Sequence, residues 1–184
     1  MTNKCCRKAT CSARGLRGST MEEFIIHTNE RYGELALALR QKIPTPSTPV
    51  KLDQESRHIP LAYFDKISTV YYIGAVQGIP VCFDAKECRA DTFPLQNVHE
   101  HQIDFMGKFE RQGGVSFLLI YYTERDELYY MRYRQIKKFW DRGMQGGRKS
   151  FRYDELEPDW TMQLKNGYFV PYLDYIQKDL DLRD

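Results

Sequence analysis

The chain has 184 residues, enough for one domain with a sizeable core. Hydrophobic residues make up 42% and charged residues 28%, an ordinary soluble balance, and no apolar run approaches the ~18–20 residues of a membrane helix. The net charge of +2 is too small to announce a nucleic-acid partner, so its distribution matters more than its sum.

Residues 1–18 read as a flexible basic arm: Lys4, Arg7, Lys8, Arg14 and Arg17 occur with no acid among them. Such an arm suits a phosphate backbone, with salt weakening the contact. The N-terminus holds no apolar stretch of secretory length, so a cytoplasmic location is expected. The odd set Cys5, Cys6, Cys11, Cys82 and Cys88 points to free thiols. A zinc site at Cys5, Cys6 and Cys11 would lack a fourth ligand and the usual spacing.

A helix start follows, with Ser19 three residues before Glu22 and Thr20 three before Glu23. Met21, Ile25, Tyr32, Leu35, Ala36 and Leu39 recur at helical spacing, which predicts a helix running to about Gln41. The stretch "KIPTPSTPV" places three prolines in nine residues, which excludes a regular helix or a central strand. Residues 43–65 therefore read as an extended, stalk-like excursion from a single domain spanning 19–184.

The segments "ISTVYYIG" and "IPVCFDAK" predict a hairpin around "AVQG". A helix is expected from about Val98 to Arg111, stopped by Gly113 and Gly114. The apolar "VSFLLIYY" predicts a central strand, turned by "ERDE" into "LYYMRY", and "RQIKKFWDR" predicts a short helix. The remainder, with Pro158, Trp160 and "YFVPYLDYI", reads as a C-terminal strap. The expected fold class is mixed α/β or α+β, a sheet with helices packed on it.

With Gln77-Gly78 as a two-residue turn, Val76 pairs with Ile79 and Gly74 with Val81. Continuing outward, Tyr71 lies opposite Asp84 and Thr69 opposite Lys86, on one face of the hairpin. Val70, Tyr72, Val81, Phe83 and Ala85 form the other, apolar face. Opposed Cβ atoms stand ~4.5–5.5 Å apart, a spacing at which two side chains can share one Mg²⁺. An ammonium such as Lys86 could then offset charge on a phosphate in reaction. The expected pattern of acid, acid, lysine shows only one acid here, since Tyr71 stands where the second belongs.

An Asp-x-Lys tripeptide alone is a weak signal, because most are solvated strand ends. Among other acids, Glu87 should point to the opposite face and Asp65 lies roughly 20 Å away along an extended strand. Glu22 or Glu23 on the first helix could approach the site. His99 and His101 read as surface or capping residues, and Trp140 and Trp160 as core. Arg148, Lys149 and Arg152 in "GGRKSFR" form a second basic run.

These segments together resemble the RecU family of Holliday junction resolvases. The resemblance lies in "RGSTMEEFIIHTNERY", "IPTP", "AYF", "STVYYIGAVQGIPVCFDAKE", "TFPLQNVHEHQIDFM", "GG" before an apolar strand, and "FW" with "GGRKS". It covers roughly residues 15–155. It implies a restriction-endonuclease-like nuclease core, with a central mixed β-sheet flanked by helices and a projecting stalk that enters a four-way DNA junction. It further implies a homodimer dependent on Mg²⁺, with Mn²⁺ as an alternative, and a recombinase as a further partner to consider.

By the resemblance, Asp84 is the second acidic ligand, Thr69 and Gln102 are further metal ligands, and Lys86 stabilises the transition state. Arg148 and Lys149 fall in a loop that contacts the DNA backbone. The family pattern Thr-x-Asp-Tyr reads here Thr69-Val70-Tyr71-Tyr72. The implied activity is paired nicking of four-way junctions in recombination and repair. The alternative is a catalytically impaired junction-binding protein, because a neutral phenol is a poor ligand for a hard cation.

Overall fold

The computed structural model describes residues 20–44, 47–51, 61–64 and 70–183. The basic arm with Cys5, Cys6 and Cys11, and Ser19, Asp65 and Thr69, lie outside the described residues. Helix α1 (Thr20–Glu34) buries Met21, Ile25, Thr28 and Tyr32, with Glu22 and Glu23 in its first turn. Acidic groups there favour the positive end of the helix dipole.

The helix stops at Glu34, short of the expected end near Gln41. Ala36 adopts φ 53°, its N–H donates to the Gly33 carbonyl at 3.0 Å, and the Leu37 N–H donates to that of Tyr32 at 2.9 Å. Residues 38–41, expected to be helical, fall in strand β1 (Ala38–Lys42), antiparallel to β4 (Tyr72–Val76). Leu39 is consequently 78% exposed rather than buried. Ladder pairing with β4 outweighs the helical spacing of these leucines and alanines.

Strands β2 (Ser47–Lys51) and β3 (Leu61–Phe64) pair antiparallel in a separate two-stranded sheet, with a register shift between Pro49 and Lys51. They fall within the proline-rich excursion, and the shift is of the kind a proline imposes by lacking an N–H. Strand β4 turns into β5 (Ile79–Cys88) through Gln77 at φ 46° and Gly78 at φ 89°. Positive φ at both central residues is what a type I′ hairpin needs, and glycine takes it without steric cost. The register is the expected one, with Val76 opposite Ile79, Gly74 opposite Val81 and Tyr72 opposite Phe83.

After β6 (Thr92–Pro94), helix α2 (Glu100–Arg111) carries the chain across to β7 (Val115–Tyr122), which lies parallel to β5. Strand β8 (Glu127–Arg132) returns antiparallel, followed by α3 (Tyr133–Met144) and β9 (Ser150–Arg152), which pairs with β6. Strand β10 (Thr161–Met162) extends the main sheet, and α4 (Tyr172–Asp181) completes the described chain. The expected strap is thus largely a helix. Pro171 stands at its N-cap, and Tyr172, Ile176 and Asp179 bury one face at helical spacing.

The main sheet runs β1-β4-β5-β7-β8-β10, mixed because only β5 and β7 are parallel. On one face, Phe83 stacks between Tyr72 at 4.7 Å and Phe117 at 4.9 Å, and Phe117 stacks on Tyr130 at 4.4 Å. Tyr172 of α4 and Tyr32 of α1 cover this aromatic row, 5.1 Å apart. The opposite face meets α2, where Ser116 Oγ donates to the Met106 carbonyl, and α3, where Tyr129 Oη donates to Gln135 Oε1. Among the described residues, no helix is long and apolar enough to cross a membrane.

Candidate active site

Strand β5 alternates, so Asp84 and Lys86 share the face that carries Cys82 and meets α2. This face is packed like the other: Cys82 and Asp84 are both fully buried. Asp84 Oδ2 accepts from Lys86 Nζ and from Gln102 Nε2, each at 2.9 Å. Its Oδ1 accepts from the Ala85 N–H at 2.7 Å. A buried carboxylate holds its charge only with such compensation, here one ammonium and two dipolar donors.

Gln102 is itself fixed from both ends. Its Oε1 accepts from the His99 N–H at 3.1 Å, at the start of α2, while Nε2 faces Asp84. The His99 and His101 rings stack 5.4 Å apart at this helix start, and His99 is the N-cap residue. The glutamine thus meets the aspartate through its nitrogen.

Tyr71 immediately precedes the last β4–β5 pair and continues its register to the position opposite Asp84. Lys86 Nζ stands 5.6 Å from the centre of the Tyr71 ring. The phenol therefore occupies the place that the hairpin register reserved for a second acid. A hollow of about 270 Å³ opens here, lined by Glu22, Lys42, Tyr71, Tyr72, Asp84, Ala85 and Lys86. Residues from both faces of β5 line it, because it lies beyond that last pair.

Glu22 enters from the first turn of α1 and forms an ion pair with Lys42 at the end of β1. The helix start is docked on β5 by the Met21 N–H, which donates to Glu87 Oε1 at 2.9 Å. Glu87 is therefore engaged away from Asp84, whereas docking brings Glu22 into the hollow. Glu23 is exposed and does not line it. Burial pushes the Tyr72 phenol well above its usual range, and Glu22 and Asp84 both add to the shift. The two carboxylates thus act electrostatically on one and the same group.

The structure brings Asp84, Lys86, Gln102 and Tyr71 together and leaves Thr69 outside the described residues. Arg148 and Lys149 do not line this hollow; Arg148 pairs with Glu155, and the Lys149 carbonyl accepts from the Leu95 N–H. Lys42 is the participant that sequence reasoning missed, since its strand was hidden within a longer helix. Among the described residues, no group of three or more His, Cys, Asp and Glu side chains gathers for a metal.

The RecU family model, described as recombination protein U, matches residues 16–178. The chain is 43% identical over 149 residues to the Holliday junction resolvase RecU of Levilactobacillus brevis, covering 79% of this chain and 74% of that one. It is 38% identical over 167 residues to that of Limosilactobacillus reuteri and 39% over 166 residues to that of Geobacillus sp.; both matches cover 88% of this chain and 82% of the relative. Among solved structures, the Holliday junction resolvase Hjc of Archaeoglobus fulgidus matches at a TM-score of 0.40 and 6% identity, over 61% of this chain and 77% of that one, too distant to bear on the argument. With the family model spanning all but the chain ends, and relatives of this similarity along most of its length, the chain belongs to the RecU family.

Proposed function

We propose that this chain is a structure-selective endonuclease that resolves four-way DNA junctions, each subunit of a two-fold dimer nicking one strand. The observation that carries the reading is the Asp84–Lys86 pair on β5, set in one hollow with Glu22, within a chain of the RecU family. The chemistry of the donor set fits a hard divalent cation, Mg²⁺ or Mn²⁺. Such ions are held through one or two carboxylates, with waters and substrate phosphates filling the other positions. Asp84 and Glu22 are the residues that would hold it, with Thr69 as a further oxygen ligand.

What a divalent ion supplies in such a site is a polarised phosphate and a more acidic water. The chain's own groups do the rest. Lys86 lies 2.9 Å from Asp84, close enough to offset negative charge growing on a phosphate bound there. Gln102 holds the Asp84 carboxylate through Nε2, so we assign it a positioning role rather than direct ligation. Arg148 and Lys149 contact the DNA backbone outside the cleavage centre. A labelled four-way junction incubated with Mg²⁺ should be nicked while plain duplex is spared, and EDTA should stop the reaction. Tight junction binding with no nicks in Mg²⁺ or Mn²⁺ would remove the enzyme claim.

Tyr71 favours a second reading, in which the protein recognises junctions but cuts them poorly. A phenol is a poor ligand for a hard cation, and the Tyr71 ring stands over Lys86 where an acid would serve the cation. Comparison with Tyr71→Asp decides between the two readings. Equal activity of both proteins would discard the second.

A further inference from the structure

A second hollow, of about 580 Å³, opens between α3, the end of β8 and the turns at 153–160, and shares no residue with the Asp84 site. Four cations line it, Arg132, Arg134, Lys138 and Arg142, against two carboxylates, Glu155 and Glu157. Excess positive charge alone would be an ordinary basic surface. Two further observations make this a built site.

The first is burial. Arg132 is only 7% exposed, its guanidinium lies 4.1 Å over the Trp160 ring, and one terminal nitrogen pairs with Glu157 at 2.5 Å. The second is an unused donor on each of two arginines. Arg142 gives its terminal nitrogens to Glu155 and to the Ser150 carbonyl, both at 2.6 Å. Yet Nε of Arg132 and Nε of Arg142 are both buried with no hydrogen-bond partner. Buried donors are almost always satisfied, so two unpartnered ones on arginines that line one cationic hollow mark guanidinium groups the protein itself engages only in part. Lys138 makes no ion pair among the described residues and stands at the exposed rim.

Guanidinium forks match phosphate oxygens in geometry and charge. We propose that this hollow is a phosphate-binding site that takes a phosphodiester of the DNA backbone away from the cleavage centre. The inference rests on the junction-binding reading above. Glu157, whose side chain is 54% exposed, holds Arg132 in the absence of DNA and yields it to the incoming phosphate.

Junction binding by the full chain, followed by fluorescence anisotropy across a KCl series, tests this. Lys138→Ala should flatten the plot of log K against log salt by about 0.9, the share of one phosphate contact. Glu157→Gln should tighten binding at every salt concentration, since it removes the competing carboxylate. A folding defect would not move the two variants in opposite directions. In wild type, the arginine Nε–H resonances of Arg132 and Arg142 should shift when junction DNA is added. If both variants match wild type while wild type still binds junctions, this inference fails and the functional reading stands. If inorganic phosphate shifts those resonances and DNA does not, the hollow takes free anions and the backbone assignment is overturned. If wild type binds no junction, both fall together.

Discussion

Replacing Tyr71 by aspartate tests the site most directly, because the hairpin register fixes where the new carboxylate falls. Opposed strand residues hold their Cβ atoms ~4.5–5.5 Å apart, so the new group would face Asp84 at close range. Two unit charges ~5 Å apart at an effective dielectric of ~20 repel by about 3 kcal/mol. Lys86, already 2.9 Å from Asp84, cancels part of this. The Lys86 contact with the Tyr71 ring, 5.6 Å from its centre, is lost in the variant. Without metal the variant should therefore be less stable by about 1–2 kcal/mol, or about 3–6 °C in Tm for a chain of this size.

Added Mg²⁺ should reverse the deficit. A ligand at ~100 times its Kd stabilises by about 2.7 kcal/mol, so thermal scans with and without metal should separate the two proteins clearly. Junction cleavage should rise at least ~100-fold, equivalent to about 2.7 kcal/mol of barrier. In wild type, Glu22→Gln should remove most residual cleavage, and in the Tyr71→Asp background it should matter less. The reasoning fails if the variant is as stable as wild type without metal, or if metal shifts both Tm values equally.

Four further outcomes are expected from the buried polar groups. Arg40 holds three guanidinium nitrogens buried without hydrogen-bond partners, over the rings of Tyr172 at 4.3 Å and Phe83 at 5.3 Å. Arg40→Met should raise stability by about 1–3 kcal/mol in urea melts, since an uncompensated buried charge costs more than the ring contacts return. Tyr130→Phe removes a buried hydroxyl that has no partner and should be neutral or stabilising in the same melts. Tyr129→Phe should instead cost about 1–2 kcal/mol, because that hydroxyl donates to Gln135 and accepts from the Glu157 N–H. Burial pushes the Cys82 thiol up to about 12, so it should resist alkylation at pH 8 until the protein unfolds, as mass spectrometry of labelled peptides would show.

The parts of the fold legible in the sequence are those where local chemistry and tertiary demand agree. Gln77-Gly78 set both the turn and the register, and from that register alone Tyr71 fell opposite Asp84. The run at 115–122 read as a central strand because both of its faces are apolar, and its burial follows. The chain after Gly33 is the reverse case. "LALALR" satisfies helical and alternating spacing equally, and only the partner strand β4 decides between them. Ala36 even accepts a left-handed backbone to make the change, which an alanine does only when the surrounding structure over-determines it. The cost of that misreading reached the site, since Lys42 and its pairing with Glu22 could not be seen without β1. Helix α4 was hidden differently, by aromatic residues that also suit a strand and by Pro171, which starts the helix rather than breaking it.

Charge in the hollow leads to one last expectation. Asp84 is balanced by Lys86 and Glu22 by Lys42, two carboxylates against two ammoniums. With an acid at position 71 the set would carry one net negative charge, and a divalent cation would be drawn in before any substrate arrived. With Tyr71 there is no such imbalance, so a cation must displace lysines from their carboxylates without net attraction. A DNA phosphate brings the missing negative charge itself. Metal binding in wild type should therefore depend on DNA, and in Tyr71→Asp it should not. Calorimetric titration of Mn²⁺ with and without a junction carrying uncleavable linkages measures this. Equal Mn²⁺ affinity of wild type in both conditions would mean that the lysines do not hold the site closed, and that the phenol costs the protein less than its charge implies.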